Sequence, residues 1–188
     1  VYQFLAMLSA LMMPLFFVTG WMLYLKRRKQ KRLTLAARQN QTQFQIDPNA
    51  AHWLIVYASQ TGTAEQLAWR TATSLQEAHQ PVTVKALQHL SLEDLKNTTQ
   101  LLCIASTYGT GDAPALTSSF VKKILPQTCD LSHLRYAVLA LGAREYADHY
   151  CRFGHTIAAW LQRNQAHALF NTIEVNNANP ADIQRWNQ

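Results

Sequence analysis

Trp53-Leu54-Ile55-Val56-Tyr57-Ala58-Ser59-Gln60-Thr61-Gly62-Thr63-Ala64 is an apolar run that ends in a loop of hydroxyls around one glycine. Its first six residues have the pattern of a buried strand. Ala64, Leu67, Ala68, Thr71, Ala72 and Leu75 then recur at three- and four-residue intervals as one face of a helix, with Glu65, Arg70, Thr73 and Glu77 on the other. A strand that stops in such a loop and opens a helix presents free backbone N–H groups and a positive helix end to one point, which is the physics of a phosphate cradle. Gly62 lets the backbone turn and approach a ligand, and Ser59, Thr61 and Thr63 can donate hydrogen bonds. The loop has no lysine and no G-x-x-x-x-G-K pattern, so a phosphate monoester fits better than a nucleoside triphosphate with its metal.

Working outward, short apolar runs alternate with helix-period segments from His52 onward. The strand candidates are Trp53–Ala58, Val82–Ala86, Leu101–Ser106, Tyr136–Leu141 and Ala168–Val175. The third and fourth are continuously apolar, as strands are when helices cover both faces of a parallel sheet. Leu116, Phe120, Val121, Ile124 and Leu125 form one helical stripe, and Phe153, Ile157, Trp160 and Leu161 another; both are read as core. The expected fold is therefore α/β, a doubly wound five-stranded parallel sheet of order 2-1-3-4-5. Ligands of such sheets bind beyond the carboxyl ends of the strands, where the strand order reverses.

Ahead of this domain, Gln3 to Leu25 carries no charge and is long enough to cross a bilayer as one helix. Pro14 is expected to kink it, and Trp21 and Tyr24 stand where an interfacial aromatic belt lies. A cleaved signal peptide would carry its positive charge before the apolar core, whereas Lys26–Arg32 follows it. Residues 26–38 hold seven positive charges, and from Pro48 onward ten basic residues balance ten acidic ones. The net charge of +6 thus belongs to the membrane flank, less one for Asp47. That flank suits anionic lipid headgroups rather than nucleic acid, and its position keeps the downstream domain cytoplasmic. The division expected is a transmembrane helix at 1–25, a basic and polar linker at 26–50, and the α/β domain at 51–188. Cys103, Cys129 and Cys151 form no C-x-x-C pair, which suits a reducing compartment, and seven scattered histidines give no metal-ligand spacing. A chain opening on Val1 reads as the tail of something longer.

Three loops should meet at the carboxyl edge of the sheet. Beside the first stands Ser106-Thr107-Tyr108-Gly109-Thr110-Gly111-Asp112, where glycines admit close backbone approach around a tyrosine. The third is Leu141-Gly142-Ala143-Arg144-Glu145-Tyr146-Ala147-Asp148-His149-Tyr150-Cys151. A phosphate loop with two aromatic-bearing loops suits a flat ring held by stacking. Asp148 beside His149 has no nucleophile motif near it and is not read as a catalytic pair; no catalytic residue is assigned.

These three segments resemble the flavin mononucleotide (FMN) loops of the flavodoxin family, most closely the flavodoxin-like domains of diflavin reductases such as the sulfite reductase flavoprotein and cytochrome P450 reductase. The likeness runs from about His52 to Asp182. It implies that Ser59, Gln60, Thr61, Gly62, Thr63 and Ala64 bind the FMN phosphate. It also implies that Ser106, Thr107, Tyr108 and Gly109, with Leu141 through Cys151, enclose the isoalloxazine, Tyr108 and Tyr146 being the stacking aromatics. Thr110 and Ala143 stand where the family often has acidic residues. The apolar helix with its Trp21–Arg32 exit resembles the last span of PepSY-associated membrane proteins. The implied function is a membrane-anchored FMN electron relay in a bacterial-type inner membrane, fed by an NADPH/FAD reductase module. Such a module would lie on another chain or on a missing continuation, and the short Pro180–Gln188 segment is read as a sign of the latter. Possible acceptors are a ferric chelate or a haem. The alternatives are a flavin-free interaction module at the membrane and a self-contained FMN-dependent NAD(P)H:quinone reductase.

Overall fold

The computed structural model describes residues 21–22 and 51–186. Strand β1 (Trp53–Ala58) leads into helix α1 (Thr63–Glu77), and β2 (Val82–Ala86) follows. A 3-10 turn at Leu87–His89 and a short helix α2 (Leu92–Lys96) lead to β3 (Gln100–Ser106). After a second 3-10 turn, Ala115–Thr117, come α3 (Ser118–Lys123), β4 (Arg135–Gly142) and α4 (Arg152–Arg163). The described chain closes with β5 (His167–Ala168), β6 (Ile173–Asn176) and α5 (Pro180–Trp186). Of the expected membrane span only Trp21 and Met22 are described, as helical and exposed; the rest of 1–25 and all of 26–50 lie outside the described residues. Among the described residues no helix is long and apolar enough to cross a membrane.

The strands pair in parallel in the order β2-β1-β3-β4-β5, as expected from the alternation of strands and helices. Period-two alternation sends Leu54, Val56 and Ala58 to one face with Leu101, Cys103 and Ala105. Ile55 goes to the other face with Leu102 and Ile104. The first face is closed by Phe120 of α3 and by Phe153, Ile157, Trp160 and Leu161 of α4. The second is closed by Ala64, Leu67, Ala68 and Ala72 of α1 and by Trp186 of α5, whose Nε1 donates to Thr71 Oγ1 at 2.9 Å. Each large side chain fully buried this way contributes about 1.5–3 kcal/mol over leaving it in water. Register brings the strand ends into line, with Ala58 opposite Ala105, Ser106 opposite Leu141 and Gly142 opposite Asn176. The loops leaving them open on one edge.

Two expectations are corrected. The single strand expected at Ala168–Val175 is two pieces, both paired to β4. Tyr136 pairs with Ala168 and Leu139 with Ile173, so five steps of chain lie opposite three, and the surplus leaves the ladder. Phe170, in that surplus, packs edge-on against Trp186 at 5.9 Å between ring centroids. Leu116, expected in the core, is 66% exposed. Its 3-10 turn puts it out of phase with Phe120, because α-helical spacing begins only at Ser118.

The exit from β2 carries a charge network with a testable pH dependence. Asp94 Oδ2 accepts from Lys85 Nζ at 2.7 Å and from Ser91 N and Oγ, each at 2.8 Å, while Ser91 Oγ caps α2. Burial raises the Asp94 carboxyl, but the bonds from Lys85 and Ser91 outweigh it and hold the group below its ordinary value. A depressed native value means the unfolded chain binds the proton more tightly. The contribution is therefore complete above about pH 4 and is lost as pH falls through the native value. The pair is partly exposed, so less than about 1 kcal/mol is at stake. Urea unfolding of wild type and Asp94→Asn is expected to differ at pH 7 and to converge as pH falls through the lowered native value.

Candidate functional site

The first loop is shaped by its own side chains. Ser59 Oγ accepts the Gly62 N–H at 2.8 Å, closing the turn, and Gly62 sits at φ +93°, where only glycine is unstrained. Gly62 is the N-cap of α1, and no side chain caps that end. The first-turn N–H groups of α1 therefore face the loop without intrahelical partners. Thr61 Oγ1 and Thr63 Oγ1 converge to 3.3 Å. Two hydroxyls and a bare helix N-terminus aimed at one point are what an anionic phosphate requires. Ala64 is fully buried, so it can offer only its backbone. Ser59 lies on the far side of the loop from the main cleft, lining a second cavity instead.

That main cleft, about 290 Å³, is lined by Gln60, Thr61 and Thr63 from the first loop, by Ser106, Thr107 and Tyr108 from the second, and by Leu141 and Gly142 from the third. The second loop is a tight hairpin: Tyr108 and Asp112 exchange backbone hydrogen bonds at 2.9 Å around Gly109-Thr110-Gly111. Gly109 stands at its tip with φ +51° and is not among the residues lining the cleft. Thr107 N–H donates to Leu141 O at 2.8 Å, and Thr107 Oγ1 accepts from Phe153 N at 3.2 Å, capping α4 from a distance. Tyr108 is 57% exposed at the cleft rim.

The third loop leaves the cleft after its second residue. Only Leu141 and Gly142 of the segment 141–151 line the cleft. Beyond Ala143, residues Arg144–His149 wind into a 3-10 stretch kinked at Tyr146, which is 49% exposed and outside the cleft lining. Glu145 and Asp148 are exposed, and Ala147 belongs to the same stretch. The Arg144 guanidinium lies over the Tyr150 ring, 5.7 Å from its centroid. His149 Nδ1 pairs with Arg152 Nη1 at 3.2 Å rather than with Asp148. A Cβ on Gly142 would stand 2.6 Å from the Cys151 backbone N, so glycine is what lets the loop fold back so closely. Among the described residues no cluster of three His, Cys, Asp or Glu side chains is placed to hold a metal ion.

Cys151 is fully buried, and its Sγ donates to Ala140 O at 3.1 Å. Burial pushes its thiol up to about 11 and that of Cys103 to about 12; burial also raises the less enclosed Cys129. Cys151 thus anchors the third loop from beneath and offers no thiolate to a ligand. Iodoacetamide at pH 8 is expected to label Cys129 first in the native protein, with Cys103 and Cys151 protected until unfolding. Mass spectrometry of the time course reads this directly.

A fourth wall escaped sequence reasoning. Asn177 and Ala178, in the loop after β6, line the same cleft. Both hold left-handed backbone, φ +47° and +56°, a strained pair of the kind found at ligand sites. Asn177 N donates to Gly142 O at 2.9 Å, and Asn176 Oδ1 accepts from Arg144 N at 2.9 Å, so this turn and the third loop hold each other. The signal was present in Asn176-Asn177-Ala178-Asn179-Pro180, a turn composition at the carboxyl end of a strand.

None of the ten lining residues carries a charge. The cleft combines a phosphate point, an aromatic rim and neutral polar walls, which suits a phosphorylated flat ring. An open parallel sheet with such a cleft at its carboxyl edge belongs to the nucleotide-binding class of α/β proteins. The profile of the flavodoxin family matches residues 55–186, and the chain belongs to that family, whose members bind FMN. Protein MioC of Escherichia coli (strain K12) is 34% identical over 122 residues, covering 65% of this chain and 81% of MioC. The sulfite reductase [NADPH] flavoprotein alpha-component of Shewanella sp. (strain MR-7) is 32% identical over 70% of this chain and 22% of its own length. Human methionine synthase reductase is 33% identical over 64% and 18%. The chain therefore spans about a fifth of the two reductases. Among solved structures, a short-chain flavodoxin associated with a bacterial microcompartment superposes with a TM-score of 0.65 at 22% identity, over 73% of this chain and 92% of its own. The protein is an FMN-binding, flavodoxin-type electron-transfer domain related to MioC and to diflavin reductases.

Proposed function

We propose that this chain is the membrane-anchored FMN component of an oxidoreductase, receiving electrons from an NADPH/FAD reductase module and passing them to an acceptor such as a ferric chelate or a haem. The observation that carries the reading is the cleft, in which a phosphate-type loop and an aromatic rim meet with no charged side chain among the lining residues. When bound there, FMN supplies reversible uptake and release of electrons; the protein's part is to bind, orient and shield. Thr61, Thr63 and the N–H groups opening α1 would hold the phosphate. Tyr108 would cover the ring from the rim, while Leu141, Gly142 and the Asn177–Ala178 turn would bound it from the side of β4 and β6. Neutral walls leave an added negative charge on the ring without repulsion from a nearby carboxylate.

Anchoring rests on the sequence of the N-terminal segment. The uncharged Gln3–Leu25 run and the Lys26–Arg32 cluster after it support one span in a bacterial-type inner membrane, with the FMN domain on the cytoplasmic side. The partner assignment draws on the kinship with the NADPH-dependent sulfite reductase flavoprotein.

The deciding experiment is the visible spectrum of the full chain purified in detergent, with the released flavin identified. Near-stoichiometric FMN is expected, together with slow reduction by NADPH alone and fast reduction once an FAD-containing NADPH reductase is added. A colourless chain that takes up no added FMN overturns the reading. Fast reduction by NADPH alone replaces the relay with a self-contained reductase. Carbonate extraction tests the anchor, because a chain released to the supernatant does not span the bilayer.

A further inference from the structure

Four of the chain's seven histidines, His52, His79, His133 and His167, are exposed at the amino edge of the sheet, opposite the cleft. Register defines that edge: Val82, Trp53, Gln100, Arg135 and His167 stand side by side as the first rung of the ladder. His52 precedes Trp53, His133 lies just before β4, and His79 lies between the end of α1 and β2. Lys96 and Arg163 close α2 and α4 shortly before that rung, and with Arg135 they too are exposed. Three permanent cations thus meet the edge's two carboxylates, Glu77 and Asp130, with Glu93 one turn back along α2. Protonated histidines make the count seven against two, whereas the rest of the domain from Pro48 holds seven basic and eight acidic residues. Among the described residues the ion pairs are Lys85–Asp94 and His155–Glu174, so none of these seven groups stands in one. His133 Nε2 donates to Leu95 O at 3.1 Å, which leaves Nδ1 to take up a proton.

We infer that this edge, charged further by its histidines, docks on an anionic lipid surface and so turns the FMN cleft away from the bilayer; the inference rests on the anchoring proposed above. The chain enters the described domain at this edge, at Ala51–His52, and the Lys26–Arg32 run precedes that entry in the sequence. Helix ends account for part of the charge, since cations in the last turns of α2 and α4 complement the helix dipoles. They do not account for Arg135 or the histidines. A protein partner calls for a different surface, because protein interfaces are built around aromatic and large apolar side chains. Among the described residues no exposed large hydrophobic side chain lies at the amino edge, whereas Tyr108, Leu116 and Tyr146 lie at the other. Phosphate headgroups need only exposed cations, and a negative leaflet concentrates protons at its surface, which favours charged histidine. The cleft opens one strand length away, about 20 Å.

The test uses the full chain in nanodiscs carrying a trace of lipid with a gadolinium-chelating headgroup, read by nuclear magnetic resonance of leucine methyl groups. Gadolinium broadens the resonances of groups held near the headgroups. Leu131 and Leu134, buried beside Asn164 and His167, report the amino edge, and Leu116 reports the opposite one. With phosphatidylglycerol in the disc, Leu131 and Leu134 are expected to broaden about threefold more than Leu116 at about pH 6, and the ratio to fall by about pH 8 as the histidines discharge. Discs of phosphatidylcholine alone are expected to show no such ratio. Arg135→Gln combined with Arg163→Gln should abolish it, whereas Arg144→Gln with Arg152→Gln, the same charge change at the cleft edge, should not. The methyl spectrum of each variant also shows whether it is folded. The inference is overturned if the two edges broaden equally, if Leu116 broadens more, or if the ratio ignores lipid charge, pH or the Arg135 and Arg163 substitutions. Size-exclusion chromatography reads the anchor separately. A chain that elutes without the disc removes the span, and phosphatidylglycerol discs added to that free chain still decide the edge.

Discussion

Thr61→Ala combined with Thr63→Ala is expected to weaken FMN binding by about a hundredfold or more while leaving the thermal melting of the apoprotein within about 1 °C of wild type. The two hydroxyls lie 3.3 Å apart beside the open N-terminus of α1, on the cleft wall. Hydrogen bonds to a charged group contribute about 1.5–3 kcal/mol each, and each 1.4 kcal/mol is a factor of ten. Two such bonds therefore set the hundredfold scale. Stability should not follow, because Thr61 is exposed and the hydroxyls bond only each other. Quenching of flavin fluorescence on titration of the apoprotein measures affinity, and calorimetry measures the melt. Equal affinity in mutant and wild type would remove the phosphate from this loop.

Gly154→Val is expected to destabilise the fold by about 3 kcal/mol or more and to release FMN. A Cβ at Gly154 would stand 2.4 Å from Ala140 Cβ and 3.0 Å from Ala140 Cα, neither of which is a flexible side-chain end. Relief requires α4 to move away from β4, opening the buried contacts of Phe153, Ile157 and Trp160. Gly154→Ala is the sharper control. In an ordinary helix interior it would stabilise by up to about 1 kcal/mol. Here the contact reverses the sign, so urea unfolding should show a loss. The site would feel it because α4 begins at Arg152, directly after the Cys151 anchor, and receives its remote cap from Thr107.

The Asn176–Asn179 turn shows where sequence reasoning reached its limit. Strands β1, β3 and β4 were legible to within one residue because a continuous apolar run is itself the physical cause of burial on both faces, and β2 was legible from its short valine-rich run. The phosphate-type loop was legible for a similar reason: glycine, hydroxyls and a helix start act on their immediate neighbours. The break between β5 and β6 was not, since the surplus of chain exists only relative to the register of β4. Leu116 misled in the same way. Apolar spacing says which residues share a helical face, but a 3-10 turn before Ser118 changes the phase. Of the eleven residues from Leu141 to Cys151, Leu141 and Gly142 line the cleft, and that division follows from the tertiary structure.

Hydrophobic periodicity and one local turn thus settled, from the order of residues alone, that this is a parallel α/β sheet with a glycine-and-hydroxyl turn opening a helix at its carboxyl edge. Folding chose the walls of the cleft. Asn176 reaches Arg144 across 32 residues and Thr107 reaches Phe153 across 46, and these bonds decide which parts of each loop face a ligand. The reason is one of range. Backbone propensity and burial act over a few residues, whereas a loop leaves its own backbone groups to be satisfied by whatever the sheet brings alongside.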